Sequence, residues 1–105
     1  MFGNLLGDFE KKQDALREKL KEMVFDYDFS DGAIIVTANA AREILNIQIN
    51  PEKVNLSDKE EVEDMVLEAI NRTLEEAAIR EAGEMQKSIN DILPGGMSGL
   101  GDLFK

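Results

Sequence analysis

The sequence contains neither cysteine nor histidine. Without cysteine the chain cannot form disulfides or use a thiolate, and without both residue types it lacks the usual protein ligands of zinc. Histidine is also the side chain best suited to proton transfer near neutral pH. An enzyme would have to work with carboxylates, lysine, hydroxyl groups and the single tyrosine, Tyr27. We therefore predict that the protein is not an enzyme and has no cofactor or metal ion.

Positive charge is scarce. The chain has 12 Lys and Arg against 22 Asp and Glu, a net charge of −10, and residues 51–91 hold twelve acidic residues against five basic ones. Affinity for nucleic acid comes largely from Lys and Arg displacing counterions from phosphates. On charge alone DNA is therefore a poor partner, and a basic protein is a candidate partner.

Long apolar runs are absent as well. No run approaches the roughly 20 residues that span a bilayer, and the N-terminus MFGNLLGDFEKK has no basic region before its short apolar patch. We expect a cytoplasmic protein with no membrane partner. A chain of 105 residues builds only a thin core, which predicts one domain over residues 1–93 that acts as a homodimer.

The segment from Gly32 to Glu52 has the pattern of a β-hairpin. Its two β-branched runs predict strands over residues 33–39 and 43–49. A third strand is predicted over residues 24–29, where Phe25, Tyr27 and Phe29 alternate with polar residues. Short connections favour an antiparallel meander. Because Ala40 accepts a positive φ only at a cost, we expect either a loop of three or more residues at the hairpin tip or a strained loop.

Apolar residues at helical spacing predict a long N-terminal helix over residues 5–23 and a long C-terminal helix over residues 58–90. Ser57 and Glu60 have the spacing of a capping box. After Ala78 the apolar stripe of the second helix meets Arg80 and Glu84, which predicts that the helix leaves the sheet and enters water or contacts another copy. Four glycines and a proline predict a flexible tail over residues 94–105. The fold class is therefore α+β.

The first helix is the one lysine-rich stretch, and it admits two interpretations. Its basic residues can form weak ion pairs with acidic residues three or four positions away, or they can contact phosphates. If the protein binds DNA, the candidate residues are the cations of this helix and one arginine near the hairpin tip: Lys11, Lys12, Arg17, Lys19, Lys21 and Arg42.

The motifs, in their order along the chain, resemble the YbaB/EbfC family of nucleoid-associated proteins. Gly32, Val36-Thr37 and Asn39 resemble the family pattern G-x-V-x-V-T-x-N-G. The segment IQINPE, residues 47–52, is similar to the end of its last strand. Further matches follow the family's long-helix pattern DKE-x-x-ED-x-V-x-x-A-x-N: Asp58-Lys59-Glu60, Glu63-Asp64-Met65-Val66, Ala69, Asn71 and Ala77-Ala78.

This resemblance implies a homodimer that binds double-stranded DNA without strict sequence specificity, at the bacterial nucleoid, and that influences gene expression. The chain departs from the family pattern in two places. Ala40 replaces a glycine in the turn, and Glu75 and Glu76 stand where relatives often have lysines, which reduces the positive charge. We therefore expect weak, salt-sensitive binding. The alternative hypothesis is an acidic protein-interaction module of the same fold with little or no DNA affinity.

Overall fold

The computed structural model describes residues 2–92, with side chains for residues 10–90. In chain order its elements are helix α1 (Phe2–Glu22), strands β1 (Val24–Phe29), β2 (Ile34–Asn39) and β3 (Ile44–Ile49), and helix α2 (Lys59–Ile92). The predicted α+β order and the predicted strands are confirmed within a residue. The N-terminal helix is the shorter one, 21 residues against 34, where the sequence predicted a long helix. The predicted flexible tail, 94–105, lies outside the described residues.

The three strands form an antiparallel sheet with β2 in the centre. Tyr27, Val36 and Ile47 lie opposite one another across the three strands. A register shift between Thr37 and Ala38 leaves Leu45 as an extra residue in β3. The meander predicted from the short connections is therefore confirmed.

The core lies between the sheet and α2. Ile34 and Val36 of β2 are fully buried, and burying each such side chain contributes about 1.5–3 kcal/mol. On α2 the buried residues that face the sheet are small: Ala69 packs with Ile34 and Val36, and Ala77 packs in a second cluster with Phe25 and Ala38. Small side chains at these positions let the helix approach the sheet closely. The hydroxyl of Thr73, also buried, donates a hydrogen bond of 2.7 Å to the Ala69 carbonyl oxygen, so no polar group is left unsatisfied there.

The start of α2 differs from the sequence prediction. The Asp58 carboxylate accepts a hydrogen bond from the Glu61 amide at 3.1 Å, so Asp58 is the N-cap. Ser57 instead donates from its amide and its hydroxyl to the Asn55 side-chain oxygen. The prediction of Ser57 as the N-cap is therefore wrong by one residue. Ser57 is bonded to Asn55 in the turn before the helix, so it does not cap the helix.

The far half of α2 is also not as predicted. Arg80 lies over the ring of Phe25, 4.3 Å from its centroid, so the helix still contacts the sheet there. Glu84 is buried and faces Lys19 of α1. These charged residues therefore have partners within the protomer. Among residues 2–92, neither helix is long and apolar enough to cross a membrane.

Candidate nucleic-acid interface

Helix α1 presents its basic residues on an exposed surface. Leu20 is buried, and Leu16 and Met23 are half-buried beside it, so one stripe of the helix is in contact with the rest of the protein. The remaining sides are left to polar residues. The five basic residues predicted as DNA contacts on this helix are all exposed: Lys11, Lys12, Arg17, Lys19 and Lys21. They extend over about 15 Å of helix.

Helical spacing divides these cations between two flanks. Arg17 and Lys21 are four residues apart and share one flank, whereas Lys12 and Lys19 are seven residues apart and share another. The helix alone therefore does not gather all its positive charge on one side.

The end of α1 is fixed against the hairpin tip. The carbonyl oxygens of Leu20 and Met23 both accept from the Ala40 amide, each at 3.1 Å. These bonds hold the last turn of α1 beside the β2–β3 loop. The flank that carries Arg17 and Lys21 is thereby placed next to Arg42.

The loop that carries Arg42 is built on Asn39. The Asn39 side-chain oxygen accepts from the amides of Ala41 at 3.0 Å and Glu43 at 3.2 Å, and its amide nitrogen donates to the Glu43 carboxylate at 2.9 Å. The loop has four residues, 40–43, in agreement with the expected length of three or more. Its positive φ falls on Arg42, at 63°, and not on Ala40.

Arg17, Lys21 and Arg42 line one cleft of about 580 Å³ between α1, the hairpin tip and α2. Three of the six predicted residues are thus brought together from two elements that are distant in sequence. Acidic residues line the same cleft: Asp14, Glu43 and Glu81. Lys11, Lys12 and Lys19 do not line it.

Three of the predicted cations face carboxylates of the protein itself. Arg42 lies 3.5 Å from Glu81, Lys21 lies 4.0 Å from Glu18, and Lys19 pairs with Glu84. The hydrogen bond from Lys19, together with the charges of Lys19 and Lys87, lowers the pKa of Glu84 against the opposite effect of burial. Lys11, Lys12 and Arg17 have no ion pair with any side chain among residues 10–90.

The two arginines of α2 contact side chains of the protomer itself. Arg72 lies 5.9 Å from the ring centroid of Phe29 and 2.7 Å from Glu68. Arg80 stacks on Phe25 and lies 3.2 Å from Glu76. A glutamate four residues before each arginine is the sequence signal for these pairs. These contacts hold Phe25 and Phe29 of β1 against α2, so the aromatic side chains of β1 lie in the core and at its margin.

Comparison with models of protein families shows to which family this chain belongs. The family model described as the YbaB/EbfC DNA-binding family matches residues 2–92. The chain belongs to the YbaB/EbfC DNA-binding family. This confirms the resemblance that the hairpin and long-helix motifs indicated. Membership of a DNA-binding family supports DNA as a partner of this protein.

Several proteins are similar to this chain over most of their length. A nucleoid-associated protein of Acetivibrio thermocellus is 33% identical over 104 residues, which cover 96% of this chain and 88% of that protein. A nucleoid-associated protein of Ruminiclostridium cellulolyticum is 35% identical over 97 residues, 92% of this chain and 76% of that protein. An uncharacterized protein of Helicobacter pylori, known from its crystal structure, shares the fold with a TM-score of 0.60. It is 24% identical and the match covers 75% of this chain and 92% of that one.

Proposed function

We propose that this protein is a homodimeric component of the bacterial nucleoid that binds double-stranded DNA weakly and without strict sequence specificity, and thereby influences gene expression. The observation that supports it most is the common cleft of Arg17, Lys21 and Arg42 in a member of a DNA-binding family. Lys11 and Lys12 extend the contact along α1. Exposed lysine and arginine side chains can contact phosphates whatever the base sequence, so phosphate contact is the proposed mode.

Homodimer formation supports this function in two ways. Large apolar side chains remain exposed on the single protomer, among them Leu45, Leu67 and Ile79 at 51%, 61% and 65% exposure, and a second copy would cover part of this surface. Pairing also doubles the number of basic residues available to one duplex. With so few cations in each protomer, we expect three to six phosphate contacts for the dimer, each contributing a slope of about −0.9 to the log–log dependence of affinity on salt.

A fluorescence-anisotropy titration tests this function directly. Two labelled duplexes of equal length and unrelated sequence are titrated with the full chain at several salt concentrations. We expect binding at low salt with similar affinity for both duplexes and with a log–log salt slope of about −3 to −5. Absence of binding to either duplex at tens of micromolar protein would remove the DNA-binding proposal.

The second candidate is an acidic module that binds basic proteins. The exposed acidic row on the outer side of α2, Glu61, Asp64, Glu68 and Glu75, favours it. Failure to bind DNA, together with salt-sensitive retention of a basic protein such as lysozyme, would support this candidate. Mutation of the acidic row should then abolish the retention.

A further inference from the structure

Helix α1 is attached to the rest of the protein over its last two turns. Leu20 is buried and Leu16 and Met23 are half-buried, whereas residues 10–15 are all exposed. Among the residues whose side chains are described, neither buried apolar cluster beside the sheet contains a residue of α1. In this part of the chain, α1 is therefore held at its C-terminal end.

The bonds at that end leave the direction of α1 weakly determined. The Ala40 amide donates to the carbonyl oxygens of Leu20 and Met23, and Met23 alone separates α1 from β1. A helix held only there can pivot. Lys11 lies about 18 Å from Met23 along the helix, so a tilt of about 20° would displace it by about 6 Å. That displacement is about twice the length of a hydrogen bond to a phosphate.

A contact with α2 supplies the second point of attachment. Lys19 of α1 forms an ion pair with Glu84 of α2. Glu84 is 8% exposed and is the one buried charged residue among residues 10–90. A buried carboxylate is costly unless it is paired. Orientations of α1 that separate Lys19 from Glu84 are therefore unfavourable, and the pair sets the direction that the hairpin bonds leave open.

The direction of α1 decides whether its cations meet the hairpin tip. Arg17 and Lys21 line the same cleft as Arg42, whereas Lys19 does not line it. A duplex that contacts α1 and Arg42 together binds best when this arrangement exists beforehand. If α1 pivots, binding has to order the helix, and the cost of ordering lowers the affinity.

We propose that Glu84 is a positioning residue for DNA binding: by pairing with Lys19 it fixes α1 relative to the hairpin tip, so that an acidic side chain raises the affinity for DNA. The proposal rests on the proposed function and adds a residue that contributes to it without touching DNA. Its sign is opposite to the effect of net charge, since loss of a negative charge otherwise favours binding to a polyanion.

Anisotropy titrations of Glu84→Gln measure this sign. We expect Kd to rise roughly two- to tenfold, the range set by the cost of ordering side chains and loops on binding. Glu63→Gln is the matched control, because it removes the same charge from an ion pair with Lys59 at the start of α2, and it should not raise Kd. Binding by Glu84→Gln as tight as that of the natural chain, or tighter, would overturn the proposal.

A double-mutant cycle tests whether Glu84 acts through Lys19. In a Lys19→Met background the partner is already lost, so Glu84→Gln should raise Kd no further. Two effects that simply add would show that the residues act independently and would contradict the proposed role. Circular dichroism establishes that each variant is folded.

A distance measurement without DNA reports the direction of α1 itself. The chain has no cysteine, so Ala15→Cys on α1 and Asn71→Cys on α2, both exposed, give two defined sites for spin labels. Labelled chain is diluted with excess unlabelled chain, so that distances within one protomer are recorded. We expect one narrow distance distribution, which Glu84→Gln broadens. If Glu84→Gln is not folded, Lys19→Met, at an exposed position, is used for the same comparison. An unchanged distribution would show that the pair does not fix α1.

The outcomes separate this inference from the proposed function. A natural chain that binds no duplex overturns the proposed function and, with it, the effect of Glu84 on affinity. A natural chain that binds DNA, with a distance distribution or an affinity that Glu84→Gln leaves unchanged, overturns the positioning role alone.

Discussion

Arg42 on the β2–β3 hairpin and Glu81 on α2 form an ion pair, with Nε 3.5 Å from Oε1. The pair lies in the cleft that Arg17 and Lys21 also line. Arg42 is well exposed, at 58%, whereas Glu81 is 23% exposed. A carboxylate of the protein therefore lies beside Arg42, and in the proposed DNA contact it would compete with a phosphate for that side chain.

Replacing Glu81 by glutamine should tighten DNA binding. The variant removes the competing charge and leaves a side chain of the same shape, so Arg42 becomes available to phosphate. Ion pairs of this exposure contribute up to about 1 kcal/mol, which corresponds to roughly a two- to fivefold lower Kd. Anisotropy titrations at constant salt measure the change.

The matched control for that variant is Glu63→Gln. Glu63 pairs with Lys59 at 3.7 Å at the beginning of α2, so the control removes the same charge and a similar ion pair without touching the cleft. It should change Kd less than Glu81→Gln does. Equal effects would show that only net charge matters and that Arg42 has no special role.

Replacing Arg17 by alanine should make binding less dependent on salt. Arg17 lines the cleft and has no ion pair among residues 10–90, so its charge is available to DNA. Loss of one phosphate contact in each protomer makes the log–log salt slope shallower by about 0.9 per contact, or about 1.8 for a dimer. Lys59→Ala also removes one positive charge, at the distant start of α2, and should preserve the slope.

The pair of Lys19 and Glu84 should make stability fall in acid. Because the pKa of Glu84 is lowered from its ordinary value of 4.5 on folding, the pair contributes its full stability above pH 4.5 and loses it as the pH falls through the lowered pKa. Glu84→Gln should therefore reduce Tm at pH 7, and the difference from the natural chain should shrink below pH 4.5. Thermal melts followed by circular dichroism from pH 3 to pH 7 measure it. A difference in Tm that does not change with pH would contradict this account.

Replacing Asn39 by alanine should destabilise the hairpin tip. Asn39 is 2% exposed and its side chain makes three hydrogen bonds within the loop. We expect the free energy of unfolding to fall by about 2 kcal/mol, as measured by urea denaturation. DNA affinity should fall too, since this loop positions Arg42. Asn71→Ala, on the exposed side of α2, should leave stability unchanged or raise it slightly; a similar loss in both variants would assign no special role to Asn39.

The strands and helices were predictable because local patterns decide them. Alternation over β1 and β3 and the apolar stripe of α2 gave bounds close to those observed. The cap was predicted one residue too early because Ser57 and Asp58 are both good N-caps. Only the turn at Asn55, which holds Ser57, distinguishes them. The left-handed residue of the hairpin is Arg42, and Ala40 does not take the positive φ that the sequence indicated would be costly there.

The candidate site was predictable in part. The sequence shows that α1 is rich in basic residues, and it also indicates Arg42 as a separate candidate for DNA contact. The sequence did not indicate that α1 supplies the partner of Glu84, because the two residues are 65 positions apart and belong to helices with no shared motif. That contact removes Lys19 from the surface charge that is fully available to DNA.

The sequence by itself determined the order of elements, the family and the excess of negative charge, since these follow from residue types and their spacing along the chain. Only the tertiary structure decided which cations lie together. Packing of α1 against the hairpin brings Arg17 and Lys21 to Arg42, and packing of α2 on β1 and β2 leaves β3 uncovered. Both results depend on contacts between residues distant in the chain, which local propensity does not specify.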